Sequence, residues 1–208
     1  RFPEVPLVLA HAALAGQGMF ASRLAQHPAT LYDTSTLSPT DVVELFARVP
    51  AERIVFASDV PYGRPAFALF ACMRIAALAS LDDDDRRRLL GGTMAAVLAG
   101  EALAPTRPPR LPETRLVNGR LARLGAYVMM AFGAILSGDG RPDPVRALPG
   151  IALARCVARD PDAGAVTETL AQIDALLAEA EGELAKDTPQ LLAAFGLLHA
   201  ASVLAVTE

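Results

Sequence analysis

A chain of 208 residues with 19 Lys and Arg against 23 Asp and Glu carries a formal charge of −4 and has room for one large domain or two small ones. No basic stripe is on hand to neutralise phosphates, which excludes nucleic acid as the main partner. The hydrophobic fraction of 52% raises a membrane role, but the longest apolar runs, 125–136 and 191–206, fall short of the about 20 residues that a spanning helix needs, so no membrane partner is expected.

Two cysteines, Cys72 and Cys156, lie far apart in apolar helical contexts and read as buried reduced thiols. No charged and then apolar leader opens the chain. The expectation is a soluble, cytoplasmic protein.

Taken in order, residues 6–10 form a compact apolar strand that ends on His11. Gly16 and Gly18 interrupt the chain, and 19–26 reads as a short helix stopped by Pro28. Residues 30–35 are rich in β-formers and end in polar groups, a second strand. Ser38, Pro39 and Asp41 mark a helix start, with serine as cap, proline in the first turn and an acid three residues on. Pro50 ends that helix. Residues 53–58 are a third apolar strand of the kind buried on both faces, and it runs into Asp59, Pro61 and Gly63. Helices follow over 65–78 and 82–99. In the second of these, the run from Asp82 to Asp85 followed by Arg86, Arg87 and Arg88 reads as the solvated first turns.

Strands alternating with helices imply parallel pairing through right-handed crossovers. Alternation along a strand puts Leu7, Leu9 and His11 on one face, and Val55, Ala57 and Asp59 likewise. A carboxylate at the C-terminal end of a buried parallel strand sits where α/β barrels place their chemistry. For Asp33 against Thr34 and Ser35, parity leaves open which points inward.

Pro105, Pro108, Pro109 and Pro112 make an extended linker. Beyond it no strand is expected. Helical patterns cover 116–136, 145–157, 163–181 and 189–206, with 138–142, Asp160-Pro161 and 187–189 between them and Asp187 or Thr188 as cap of the last. Four helices on short connections predict a small bundle. Met129 and Met130 read as core residues, and His27 and His199 as structural.

Three stretches carry a family resemblance: VPLVLAH at 5–11, TLYDTS at 30–35 and ERIVFASDVPYG at 52–63, followed by LLGGTMAAVL at 89–98. Together they resemble the C-terminal part of the amidohydrolase-related metal-dependent hydrolases, in the branch that includes aminocarboxymuconate-semialdehyde decarboxylase. The last strand is similar to the family's G-S-D-x-P, with Ala57 at the usual glycine. Thr93 stands where the closing helix usually reads Asn-Ala.

The resemblance implies an α/β fold, the last three βα units of a TIM-type (β/α)8 barrel over residues 1–104, then a linker at 105–112 and an all-helical C-terminal extension over 113–208. It implies that Asp59 is a metal ligand or the base for metal-bound water, and that His11 is the active-site histidine. Asp33, Thr34 and Ser35 are expected to organise a loop, and Tyr62 and Arg64 to lie above the barrel mouth. The family's His-x-His pair has no counterpart here, and a full barrel needs about 250 residues. The chain is therefore expected to be the C-terminal part of a longer protein. Its divalent metal, zinc first of all, would take its remaining ligands from elsewhere.

Two functions follow. The first is a metal-dependent hydrolase or non-oxidative decarboxylase acting on a small organic molecule, inactive as this chain alone. The second is a non-catalytic interaction or dimerisation module, built from a barrel remnant and a bundle that self-associates through its C-terminal helices.

Overall fold

Short β-branched and leucine-rich runs make the strands of this computed structural model, which describes residues 5–24, 27–61, 63–112, 118–136, 143–159, 164–186 and 189–208. The 138–142 and Asp160-Pro161 breaks, the Asp187 and Thr188 caps and Tyr62 lie outside the described residues. The chain divides into two units, Arg1–Arg115 and Leu116–Glu208.

In the first unit, β1 (Leu7–Leu9), β2 (Thr30–Asp33) and β3 (Ile54–Val55) form a parallel sheet in that order. Leu7 pairs with Thr30 and Leu9 with Tyr32; Tyr32 then pairs with Ile54 and Asp33 with Val55. The strands are shorter than the sequence predicts, and β3 most of all. Residues Ala51–Arg53 form a 3-10 turn before it. Past Val55 the Phe56 N–H leaves the ladder and donates to the Leu89 carbonyl at 2.8 Å.

Between the strands run α1 (Gln17–Leu24) and α2 (Pro39–Arg48). Ser38 caps α2 in a full capping box with Asp41, and Pro39 occupies the first turn. The apolar stripe of α2 buries Val42, Leu45 and Phe46 against Ile54 and Tyr32 of the sheet and Cys72 and Ile75 of α3 (Pro65–Leu78). The helix expected over 82–99 comes in three pieces. These are α4 (Asp83–Arg87), a π-type segment Arg88–Gly92, and α5 (Thr93–Ala99). The break falls at Gly91, whose φ of 152° no side-chain-bearing residue adopts readily.

Asp85 corrects the reading of the acidic run as solvated. Its side chain is 1% exposed and pairs with Arg107, with Arg110 at 2.8 Å and with Arg88 at 3.5 Å. Arg107 also pairs with Glu52, whose side chain is equally buried. Arg53 donates to the Ala104 carbonyl, and Leu111 is buried with its N–H toward the Phe46 carbonyl. The proline-rich segment carries no helix or strand, yet Arg107 and Arg110 tie it to the buried Glu52 and Asp85 carboxylates.

The second unit is a four-helix arrangement of α6 (Gly119–Leu136), α7 (Leu148–Ala158), α8 (Thr167–Leu184) and α9 (Leu191–Thr207). No strand occurs there among the described residues. Its core residues recur at alternating spacings of three and four: Leu121, Leu124, Val128, Ala131 and Ile135 on α6, and Leu170, Ile173, Leu177, Ala180 and Leu184 on α8. That spacing lays one narrow seam along each helix. It also explains two corrections. Met129 and Met130 fall off the α6 seam and are exposed rather than core. Cys156 falls off the α7 seam and is exposed, while Cys72 is buried. No described helix is long and apolar enough to cross a membrane.

Candidate active site at the strand ends

At and just beyond the C-terminal ends of the three strands lie His11, then Asp33, Thr34 and Ser35, then Asp59. After Leu9 the backbone does not continue as a strand. His11, Ala12 and Ala13 take positive φ values of 56°, 44° and 65°. Three successive non-glycine residues in the left-handed region cost about 1–2 kcal/mol each. Such strain persists only where neighbouring contacts fix it. The expected alternation of Leu7, Leu9 and His11 therefore stops at Ala10, and His11 is placed by its hydrogen bonds.

Those bonds come from β2. The His11 N–H donates to Asp33 Oδ1 at 2.8 Å. The same oxygen accepts the Ser35 N–H at 3.0 Å and the Ser35 hydroxyl, an Asx turn that closes the strand end. Ser35 Oγ lies 2.7 Å from His11 Nδ1, and the Ser35 carbonyl lies 3.3 Å from it. Because the Ser35 proton goes to Asp33 and a carbonyl can only accept, the network assigns the proton to Nδ1 of His11. The Nε2 lone pair is then free to act, and Nε2 has no hydrogen-bond partner among the described residues. Asp33, Ser35 and His11 form a relay that fixes one tautomer.

Thr34 carries the sheet one residue further by its side chain. Its hydroxyl donates to the Ala57 carbonyl at 3.3 Å and accepts the Ala57 N–H at 3.1 Å. Asp59 follows, with φ of 57°, so the alternation from Val55 through Ala57 also ends before the acid. Its carbonyl accepts the Gly63 N–H at 2.7 Å. Any Cβ at Gly63 would sit 1.7 Å from the Ser58 carbonyl oxygen, so only glycine lets this turn close. Among the described residues the half-buried Asp59 carboxylate makes no hydrogen bond or ion pair. Arg64 is the exposed residue just before α3.

His11 follows β1 and Asp59 follows β3, the two strands on either side of β2. Sequence reasoning gave His11 and Asp59 but treated Ser35 as a loop residue. The signal for Ser35 was the Asp-x-Ser spacing after a strand, which favours an Asx turn.

A zinc site takes three or four protein donors in one place. Among the described residues no group of three His, Cys, Asp or Glu side chains could hold one. His11 is held through Nδ1, and Asp33 is occupied by three donors. The described residues do not by themselves fit a metal centre.

No curated protein and no solved structure matches the chain. Residues 1–99, just under half of the chain, match the family model described as amidohydrolase, and this supports an amidohydrolase-related family, generally hydrolytic enzymes, for the part that carries His11 and Asp59.

Proposed function

We propose that the first unit supplies one side of a hydrolase site for a small organic substrate, with His11 and Asp59 as its reacting groups. The observation that carries this is the relay from Asp33 through Ser35 to His11, which leaves a bare Nε2 at the end of β1. Such a nitrogen can take a proton from an attacking water and return it to the leaving group. The Asp59 carboxylate, which has no partner among the described residues, can accept a second proton or hold the water. Non-oxidative decarboxylation would use the same two groups with the proton delivered to carbon.

The sheet itself supports a barrel setting. Parallel sheets are normally covered on both faces, yet Val5, Leu7 and Val8 are 54%, 40% and 42% exposed. We read β1 as a strand that pairs with further strands of a (β/α)8 barrel. Amidohydrolases generally use divalent metals, and zinc with donors from those strands would complete the site. The test is Asp59→Asn in the intact protein, assayed for hydrolysis and decarboxylation of small cyclic and carboxylated compounds. Turnover should be abolished while circular dichroism stays unchanged; undiminished turnover would sink the assignment.

The exposed Met129 and Met130 on α6 favour a second role for the helical unit, self-association. Light scattering should show an oligomer that Met129→Glu with Met130→Glu dissociates, and a monomeric parent chain would rule this out.

A further inference from the structure

At the opposite end of the sheet, before the strands begin, lies a cavity of about 320 Å³ that no part of the proposed reaction uses. Its walls include Leu24, Tyr32 and Val49, and its basic lining is His27, Arg48 and Arg53, with no Asp or Glu among the described lining residues. Arg53 is only 9% exposed. It donates through Nε to the Pro28 carbonyl at 2.8 Å, and through Nη1 to the Ala104 and Glu52 carbonyls at 2.8 and 3.2 Å. No carboxylate among the described residues forms an ion pair with it, and Nη2 makes no hydrogen bond among them. Glu52, whose charge acts on it, is itself held by Arg107.

A buried guanidinium satisfied only by neutral carbonyls keeps its full charge to be balanced, and a bound anion does that best. Its neighbours suit the same purpose. His27 is held by Thr30 Oγ1 at 2.9 Å through Nδ1, which leaves Nε2 without a partner among the described residues. Arg48 reaches the cavity from α2 while its Nε bonds Glu44 at 2.9 Å. The Tyr32 ring offers an apolar wall, since burial raises the pKa of its hydroxyl and keeps it neutral.

We propose that this cavity binds a small organic anion, an oxyanion group seated on Arg53, Arg48 and His27 with an apolar body against Leu24, Tyr32 and Val49. The oxyanion is a carboxylate or a phosphate monoester. The volume falls within the range of small-molecule pockets.

The test is calorimetric titration of the full chain with benzoate, phenyl phosphate and neutral benzamide. Arg53 is left intact, because truncating it would strand three carbonyl acceptors. We expect saturable binding of benzoate or phenyl phosphate and none of benzamide. Whichever anion binds tells a carboxylate ligand from a phosphate one. His27→Ala and Arg48→Gln should each weaken it about tenfold, and Arg123→Gln, the same charge change on the helical unit, should leave it unaltered. The proposal is overturned by lack of saturation with both anions, by equal binding of benzamide, by unchanged affinity in both cavity variants, or by equal weakening in Arg123→Gln.

Discussion

Replacing Ser35 by alanine removes the one hydroxyl between the His11 ring and the Asp33 carboxylate. Ser35 Oγ lies 2.7 Å from Nδ1 and passes its own proton to Asp33. The Ser35 carbonyl, at 3.3 Å, is a weaker acceptor for the same Nδ1 proton and survives the substitution. A hydrogen bond tied to a charged group contributes about 1.5–3 kcal/mol, against roughly 0.5–1 kcal/mol for a long neutral one. The bias toward the Nδ1–H tautomer should therefore fall by about 1–2 kcal/mol, or about five- to thirtyfold in the tautomer ratio. Long-range nitrogen–proton correlation spectra of the imidazole read this directly, at a pH where the ring is neutral. In the parent chain Nδ1 should carry the proton and Nε2 should be bare. In Ser35→Ala both nitrogens should move toward averaged positions, and Asp33→Asn, which keeps an acceptor oxygen but loses the charge, should move them less. A parent ring protonated on Nε2, or a Ser35→Ala spectrum identical to the parent's, refutes the relay.

Two further predictions rest on burial. Burial alone would raise the Glu52 carboxyl, but the Arg107 guanidinium and the Glu52 and Arg107 backbone N–H groups bring it below its ordinary value of 4.5. A group depressed in the folded state contributes stability above its unfolded value and loses it as pH falls through the folded one. Glu52→Gln should thus be less stable than the parent above about pH 4.5, with the difference closing in more acidic solution; a urea-unfolding gap that stays constant from neutral pH down to acid contradicts this. Burial pushes the Cys72 thiol up to about 12 while Cys156 is exposed. Iodoacetamide at mildly alkaline pH should modify Cys156 alone in the native chain and reach Cys72 only on unfolding, and equal native rates at the two thiols count against the packing of α3.

The legible features were those with local causes. The Ser38 capping box and the Pro65–Leu78 helix are written in adjacent residues, and both occur where the sequence puts them. The parallel pairing of three strands followed from alternation with helices. What stayed hidden depended on contacts distant in sequence. Asp85 sits in a run of four acids that looks solvated, and besides the nearby Arg88 its burial depends on Arg107 and Arg110, over twenty residues on. Met129 and Val128 are neighbours of similar apolarity, and the difference between exposed and core is the phase of the α6 seam. His11 and Asp59 were readable as types at strand ends, but side-chain parity misplaced both, because each sits on a left-handed residue that ends the alternation.

The strap from Ala104 to Leu111 bears on how the two ends of the sheet can work independently. A buried ion pair is a weak source of net stability, since desolvation offsets most of its attraction, but breaking one partner away is costly. Glu52 and Asp85 hold Arg107 together from the turn before β3 and from α4, so the segment has one favoured docking position. The turn before β3 also carries Arg53, which reaches Ala104 on the same segment. Movement of the strap would therefore disturb the cavity beside Arg53 first. Among the described residues the His11 relay draws its contacts from β2 and its end, and none from the strap. Ligand binding at the lower end should accordingly change the exposure of residues 104–111 while leaving the His11 tautomer as it is.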